Sequence, residues 1–214
     1  MTEIASTEGA VGPRISPGSR AQIGRLNFAL ARLIGAGTGG GPPNVFTTLA
    51  RNRRLFRAWL RFAGRLMPGG SLPRAQTELV ILRVAHNCGC EYEWAHHERL
   101  GHAAGLAPDE IERVREGPEA GSWSPAQVSL LRAADELHQR RTISDELWGE
   151  LSRRHAEPQL IELCMLVGHY EMLAMTLNAL GVQPDPPGGR VPRPLRLVQR
   201  LAERRGRAER PAAR

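Results

Sequence analysis

Apolar residues recur along this chain at spacings of three and four, the period of a helix, and rarely alternate as a strand requires. A first helical pattern opens at Ser19 and carries Ile23, Leu26, Phe28, Leu30, Leu33 and Ile34. Gly35 is expected to end it, with the Gly-rich stretch 35–43 as a loop. Asn44 suits the cap of a second stretch holding Val45, Phe46, Leu49, Leu55, Trp59, Leu60, Phe62 and Leu66, broken by Pro68-Gly69-Gly70. Pro73 suits a first helical position before 74–86, where Leu79, Val80, Ile81, Leu82, Val84 and Ala85 leave almost no polar face.

The segment Asn87-Cys88-Gly89-Cys90 interrupts that helix, and Glu91 to Ala104 resumes as a second, stopped by Gly105. A short helix opens at Ala107-Pro108 and runs to about Arg115. Ser124-Pro125-Ala126-Gln127 is a capping box with proline at the first position, and predicts a helix over 125–140. Further helices are expected from Ser144 to about Arg154 and from Pro158 to a stop at Gly181. With no hairpin signal, the pattern predicts an all-α fold: a helical bundle built on a helix pair over 74–104. The expected organisation is a disordered segment 1–18, one helical domain 19–183, and a Pro-rich then Arg-rich tail 184–214.

Charge sharpens this picture. All 29 basic residues are arginine, which excludes a lysine Schiff base and a P-loop. Residues 190–214 hold nine Arg and two Glu, so the whole net charge of +7 lies there and the rest of the chain is neutral. A neutral body argues against a folded nucleic-acid surface, and an aromatic content of 5% argues against a base-stacking platform. No unbroken apolar run reaches the length of a membrane span, and the N-terminus lacks the order of a signal peptide. A cytoplasmic protein without membrane partners is expected.

Candidate chemistry concentrates between Glu78 and Gly105, which hold two of the three cysteines and four of the seven histidines. Cys90, Glu93 and His97 share one helix face at i, i+3 and i+7. Cys90 stands at a helix start, where free N–H groups favour a thiolate. His97 is suited to proton transfer near neutral pH, and Glu78 lies among apolar residues where a carboxylate must be paired or protonated. The break at 87–89 lets the two helices fold together and brings Glu78 towards His97. The same pattern also suits a buried small cysteine beside ordinary helix ion pairs. Cys88, Cys90, His96 and His97 are permitted metal ligands, but their spacing is poor for one ion, and no metal or organic cofactor is expected. Cys164 falls in an apolar helix and reads as core; His169 and Tyr170 there suit either a pocket wall or core packing.

The stretch Arg74-Ala-Gln-Thr-Glu78-Leu-Val-Ile-Leu-Arg-Val-Ala85, followed by Cys90-Glu-Tyr-Glu-Trp-Ala-His-His97 and Gly105-Leu106, resembles the carboxymuconolactone decarboxylase family of the AhpD-like superfamily. The resemblance implies an all-helical fold assembling as trimers or hexamers. The peroxidase members carry Glu, Cys-x-x-Cys and His; here Glu78, Cys90 and His97 match, and Glu93 stands where the second cysteine belongs. Peroxidase chemistry resolves an oxidised thiolate with that second thiol, so the resemblance with this departure implies acid–base work by Glu78, Glu93 and His97 instead, with Cys90 beside them in the catalytic set as a candidate nucleophile. Arg83 or another arginine would hold a substrate carboxylate, with Trp94, His96 and Tyr170 at the substrate. The expected function is a lyase (decarboxylase) or isomerase acting on a small organic acid or lactone. A one-Cys thiol peroxidase and a non-catalytic helical assembly module are the alternatives.

Overall fold

The computed structural model describes residues 12–37 and 40–186. The expectations for residues 1–11 and for the basic tail from 187 onward lie outside the described residues. Ten helices and no strand occur among the described residues, as the apolar spacing requires. They fall into two compact units. One comprises residues 16–57 with 185 and 186; the other comprises 12–15 and 58–184.

In the smaller unit the first helical pattern is two helices, α1 (Arg20–Ile23) and α2 (Arg25–Gly37), separated by Gly24. The expected stop at Gly35 does not occur. A Cβ on Gly35 would collide with the Gly41 carbonyl, so this glycine serves the close approach of the returning chain, and helix continues past it. The second pattern is also two helices, α3 (Asn44–Leu49) and α4 (Arg53–Leu66). Asn44 opens α3 but does not cap it; Pro43 holds the cap position. The unforeseen break has a local cause: Asn52 Oδ1 accepts from the Leu55 N–H at 3.3 Å, so the side chain competes for the backbone and starts a new helix. Arg53 ties the unit together, donating to the Ala21 and Gln22 carbonyls at 3.1 and 2.8 Å.

In the larger unit, α5 (Arg74–Asn87) is central. It packs against α6 (Glu91–Ala104), α7 (Pro108–Glu116), α8 (Pro125–Arg140) and α10 (Glu157–Leu180); α9 (Asp145–Ser152) packs on α8 and α10. Eight of its side chains, Thr77 to Leu82 with Val84 and Ala85, are buried, which is why its sequence shows no polar face. One core cluster joins Leu79, Leu82 and Ala85 of α5 to Trp94, Leu106, Ile111, Val114 and Leu131. The capping box at Ser124 forms as the sequence predicts, with Gln127 Oε1 accepting from the Ser124 N–H at 3.0 Å. By length and composition α10 is the described helix apolar enough to cross a membrane, with mean hydropathy 1.4 over its best window. Counting unbroken apolar runs misses it. Half of that window is buried inside the protein, as in the core helix of a bundle.

Candidate active site

The α5–α6 hairpin positions the candidate chemistry. Gly89 adopts φ +58, and the N–H groups of Gly89 and Cys90 return to the carbonyls of His86 and Ala85 at 3.0 and 2.9 Å. This pair of reversed bonds closes α5 as a Schellman motif, which needs a left-handed residue that glycine supplies without strain. The turn leaves Cys90 as the N-cap of α6. The first turns of α5 and the middle of α6 then lie side by side.

There Glu78, wholly buried, meets His97. His97 Nδ1–H donates to Glu78 Oε2 at 2.7 Å. Arg74, one turn earlier on α5, places Nη2 2.6 Å from Glu78 Oε1 as an ion pair, off the line of a directed hydrogen bond. A buried carboxylate is tolerated when paired in this way. Holding Nδ1 on the carboxylate fixes the imidazole's orientation and leaves Nε2 as the ring's other polar atom. Tyr170 of α10 lies edge-on to the His97 ring, centroids 5.0 Å apart at 88°, and its hydroxyl donates to Met67 Sδ at 3.5 Å.

Glu93 is 2% exposed, and neither carboxylate oxygen has a hydrogen-bond partner among the described residues. Burial alone raises its pKa well above the carboxylate range, so it is held as the acid. Cys90 is 1% exposed. The helix start does act on it, since the Glu93 and Tyr92 amides favour the thiolate, but burial outweighs them and pushes the thiol up to about 12. The activated thiolate expected at a helix start is therefore replaced by a neutral thiol. Desolvation in a closed site outweighs two backbone amides.

Residues 53–136 match the model of the carboxymuconolactone decarboxylase family. That segment is similar to the carboxymuconolactone decarboxylase family. It contains α5, α6 and every residue of the Glu78–His97 cluster except Tyr170. The fold is that of the AhpD-like proteins. An uncharacterised peroxidase-related protein from Silicibacter sp. TM1040 superposes with a TM-score of 0.71 at 17% identity, covering 83% of this chain and 96% of that one. The alkylhydroperoxidase AhpD core protein from Ralstonia eutropha JMP134 gives a TM-score of 0.70 at 18% identity, over 80% and 93%. The debrominase Bmp8 with cysteine changed to alanine, in complex with 2,3,4-tribromopyrrole, gives 0.64 at 16% identity, over 87% and 96%. No curated protein matches this chain.

Around the family motif the structure sorts the remaining residues. His96 stacks on Tyr92 with centroids 6.5 Å apart at 9°, and sits edge-on to His97 at 5.4 Å. Burial, then the neighbouring His97, lowers its pKa to about 3. His169, next to Tyr170 on α10, stacks on Trp59 at 6.1 Å and meets Phe62 edge-on at 5.3 Å. Its Nδ1 is buried with no partner among the described residues, and burial lowers its pKa to about 4. Tyr170 thus reaches the cluster, and His169 packs beside it.

Two expected substrate residues are placed elsewhere. Arg83 makes a bidentate pair with Asp135 at 2.6 and 2.9 Å and donates to the Val114 carbonyl at 2.8 Å. Its donors are consumed in joining α5 to α7 and α8, so it is a structural clamp; the arginine at the cluster is Arg74. The signal was in the chain, because Arg74 stands four residues before Glu78 on one helix face. Trp94 is core, under the Arg115 guanidinium at 3.6 Å, since its position on α6 points into the α5–α7 packing. Cys164 is half-buried, outside the core assigned to it. Cys88 is separated from Cys90, His96 and His97 as a ligand set: its thiol faces His138 and Glu171.

Proposed function

We propose that this chain is a cofactor-independent acid–base enzyme that protonates an enolate or dienolate of a small organic acid or lactone, as a decarboxylase or an isomerase. The observation that carries the reading is the pairing of unlike groups on one hairpin: Glu78 holding His97 at 2.7 Å, with Glu93 buried as an acid on the same helix. In this scheme His97 Nε2 exchanges a proton with the substrate while Glu78 and Arg74 hold the ring. Glu93 supplies a proton to the carbon left electron-rich by loss of CO₂ or by a double-bond shift. Environments that separate two groups' proton affinities are what acid–base catalysis requires.

The test is turnover of a panel of β-keto acids, vinylogous acids and lactones in D₂O. Product from solvent should carry one deuterium at the protonated carbon. Glu93→Gln and Glu78→Gln should each lower turnover by about 10²–10⁴-fold. Persistence of full turnover in Glu93→Gln overturns the reading.

Cys90 at the α6 N-cap favours a second reading, thiol chemistry, because the Tyr92 and Glu93 amides act on the thiol. Two of the similar structures are peroxidase-related and a third is a debrominase studied with its cysteine replaced. Cys90→Ser separates the readings: under the first it still turns over the acid panel, and under the second the wild type consumes hydroperoxide and this variant does not.

A further inference from the structure

A second cluster lies beyond the one just described, where the C-terminal end of α5, the last turn of α8 and the middle of α10 meet. We propose that Cys88, His138 and Glu171 form a binding site for one divalent transition ion of the zinc type. The three ligand atoms, one sulfur, one nitrogen and one oxygen, all lie within 4.8 Å of one another. His138 Nδ1 is 2.8 Å from Glu171 Oε1 and 4.0 Å from Cys88 Sγ.

The geometry distinguishes a metal site from a catalytic triad. A triad uses the two ring nitrogens for different partners, passing a proton across the imidazole. Here the carboxylate and the thiol converge on the same nitrogen, so no relay runs through the ring. Three donors facing one point is the arrangement a cation fills. With bonds of about 2.0–2.1 Å to N and O and about 2.3 Å to S at tetrahedral angles, N and O would stand about 3.3 Å apart and N and S about 3.6 Å. The observed 2.8 and 4.0 Å each change by roughly 0.5 Å, within the reach of side-chain rotation.

The surroundings fit. Glu171 Oε2 is taken by Arg141 Nη1 at 2.7 Å, which leaves Oε1 to bind as a single oxygen ligand. The loop is anchored, since Asn178 Nδ2 donates to the Cys88 carbonyl at 3.0 Å. All three ligands are half-buried, so an ion has a route from solvent and a fourth position is left for water. Mixed S, N and O donors select a borderline ion over Mg²⁺ or Ca²⁺. On binding, the Cys88 thiol releases its proton to solvent as the S–metal bond forms, and the imidazole N–H moves to Nε2; no electron is transferred. The site does not depend on the acid–base reading.

The test is a Co²⁺ titration of the full, tag-free chain after chelator treatment. The expected result is saturation at one equivalent, with a near-ultraviolet sulfur-to-cobalt absorption that Zn²⁺ abolishes by displacement. Cys88→Ser should remove that absorption, His138→Gln should weaken binding at least tenfold, and Cys90→Ser should change neither. Zn²⁺ should raise the melting temperature of the wild type and not that of His138→Gln. Loss of the absorption in Cys90→Ser with retention in Cys88→Ser overturns the proposal. So does the absence of saturable binding, or equal binding by His138→Gln.

Discussion

At the residue scale, burial decides protonation more than any neighbour does. Glu93 has no hydrogen bond to hold a charge, and Cys90 is raised to about 12 despite its place at a helix start. Only a thiolate attacks peroxide, so hydroperoxide turnover with a dithiol partner should be weak. Cys90→Ser should abolish the remainder, and Glu93→Cys should raise it by restoring a resolving thiol. A coupled peroxide-consumption assay and mass spectrometry of the oxidised protein read both; robust wild-type turnover with an intramolecular disulfide is the contrary result.

The same burial sets a pH dependence of stability. Glu93 has a folded pKa above its unfolded value, so the native state binds the proton more tightly. Its contribution is full below about pH 4.3, the unfolded value, and falls as pH rises towards the folded one. His169 and His96 lie at about 4 and about 3, below the ordinary histidine value of about 6.5, so both are neutral in the native state. They cost stability as pH falls below the unfolded value, because the unfolded chain then gains protons the native chain cannot bind. Urea midpoints measured from about pH 4 to 8 should fall on both sides. Glu93→Gln should flatten the alkaline limb. His169→Phe, which keeps the contacts with Trp59 and Phe62 and removes a buried unpaired nitrogen, should flatten the acid limb.

At the scale of elements, Arg83 is the joint between α5, α7 and α8. The pair with Asp135 is mostly buried, at 12% and 15% side-chain exposure. Removing one member of such a pair strands the other and costs about 3–5 kcal/mol, whereas replacing both is much milder. Arg83→Met should therefore lower stability by that order and Arg83→Met with Asp135→Asn by clearly less, measured as a double-mutant cycle in urea. Equal losses would show that the guanidinium acts through its carbonyl contacts to α7 alone. The helix boundaries follow similar local rules. Ser124 and Gln127 cap α8 as their spacing predicts, while Asn52 divides a run that hydropathy alone joins.

For the whole molecule, α10 carries an exposed apolar stripe. Ile161, Met165, Met172 and Met175 are 45–65% exposed, and with Gly168 they fall at alternating spacings of four and three, the repeat of a helix–helix seam. Such a stripe suits packing against another copy of the chain, in line with the trimer or hexamer implied by the resemblance. Light scattering at micromolar concentration should give a multiple of three, and Met172→Glu with Met175→Glu should dissociate it without unfolding. A wild-type monomer contradicts this.

Helical period, caps and breakers are local properties, so the all-α class and the span of α8 were legible in the chain itself. The hairpin over 74–104 was legible for the same reason, and so was the convergence of Glu78 and His97: a buried-looking carboxylate and a histidine on adjoining helices have few other ways to be satisfied. Tertiary structure decided what depends on residues distant in the chain. Arg74 shares a helix face with Glu78, but nothing local shows that Arg83 is engaged elsewhere; only Asp135, 52 positions away, claims it. Cys88 looked like a neighbour of Cys90, yet its thiol faces His138 and Glu171, brought there by the packing of α8 and α10 on α5. The proton state of Cys90 was beyond local reading too, because the helix start is visible in sequence and the desolvation that overrides it comes from everything packed around it.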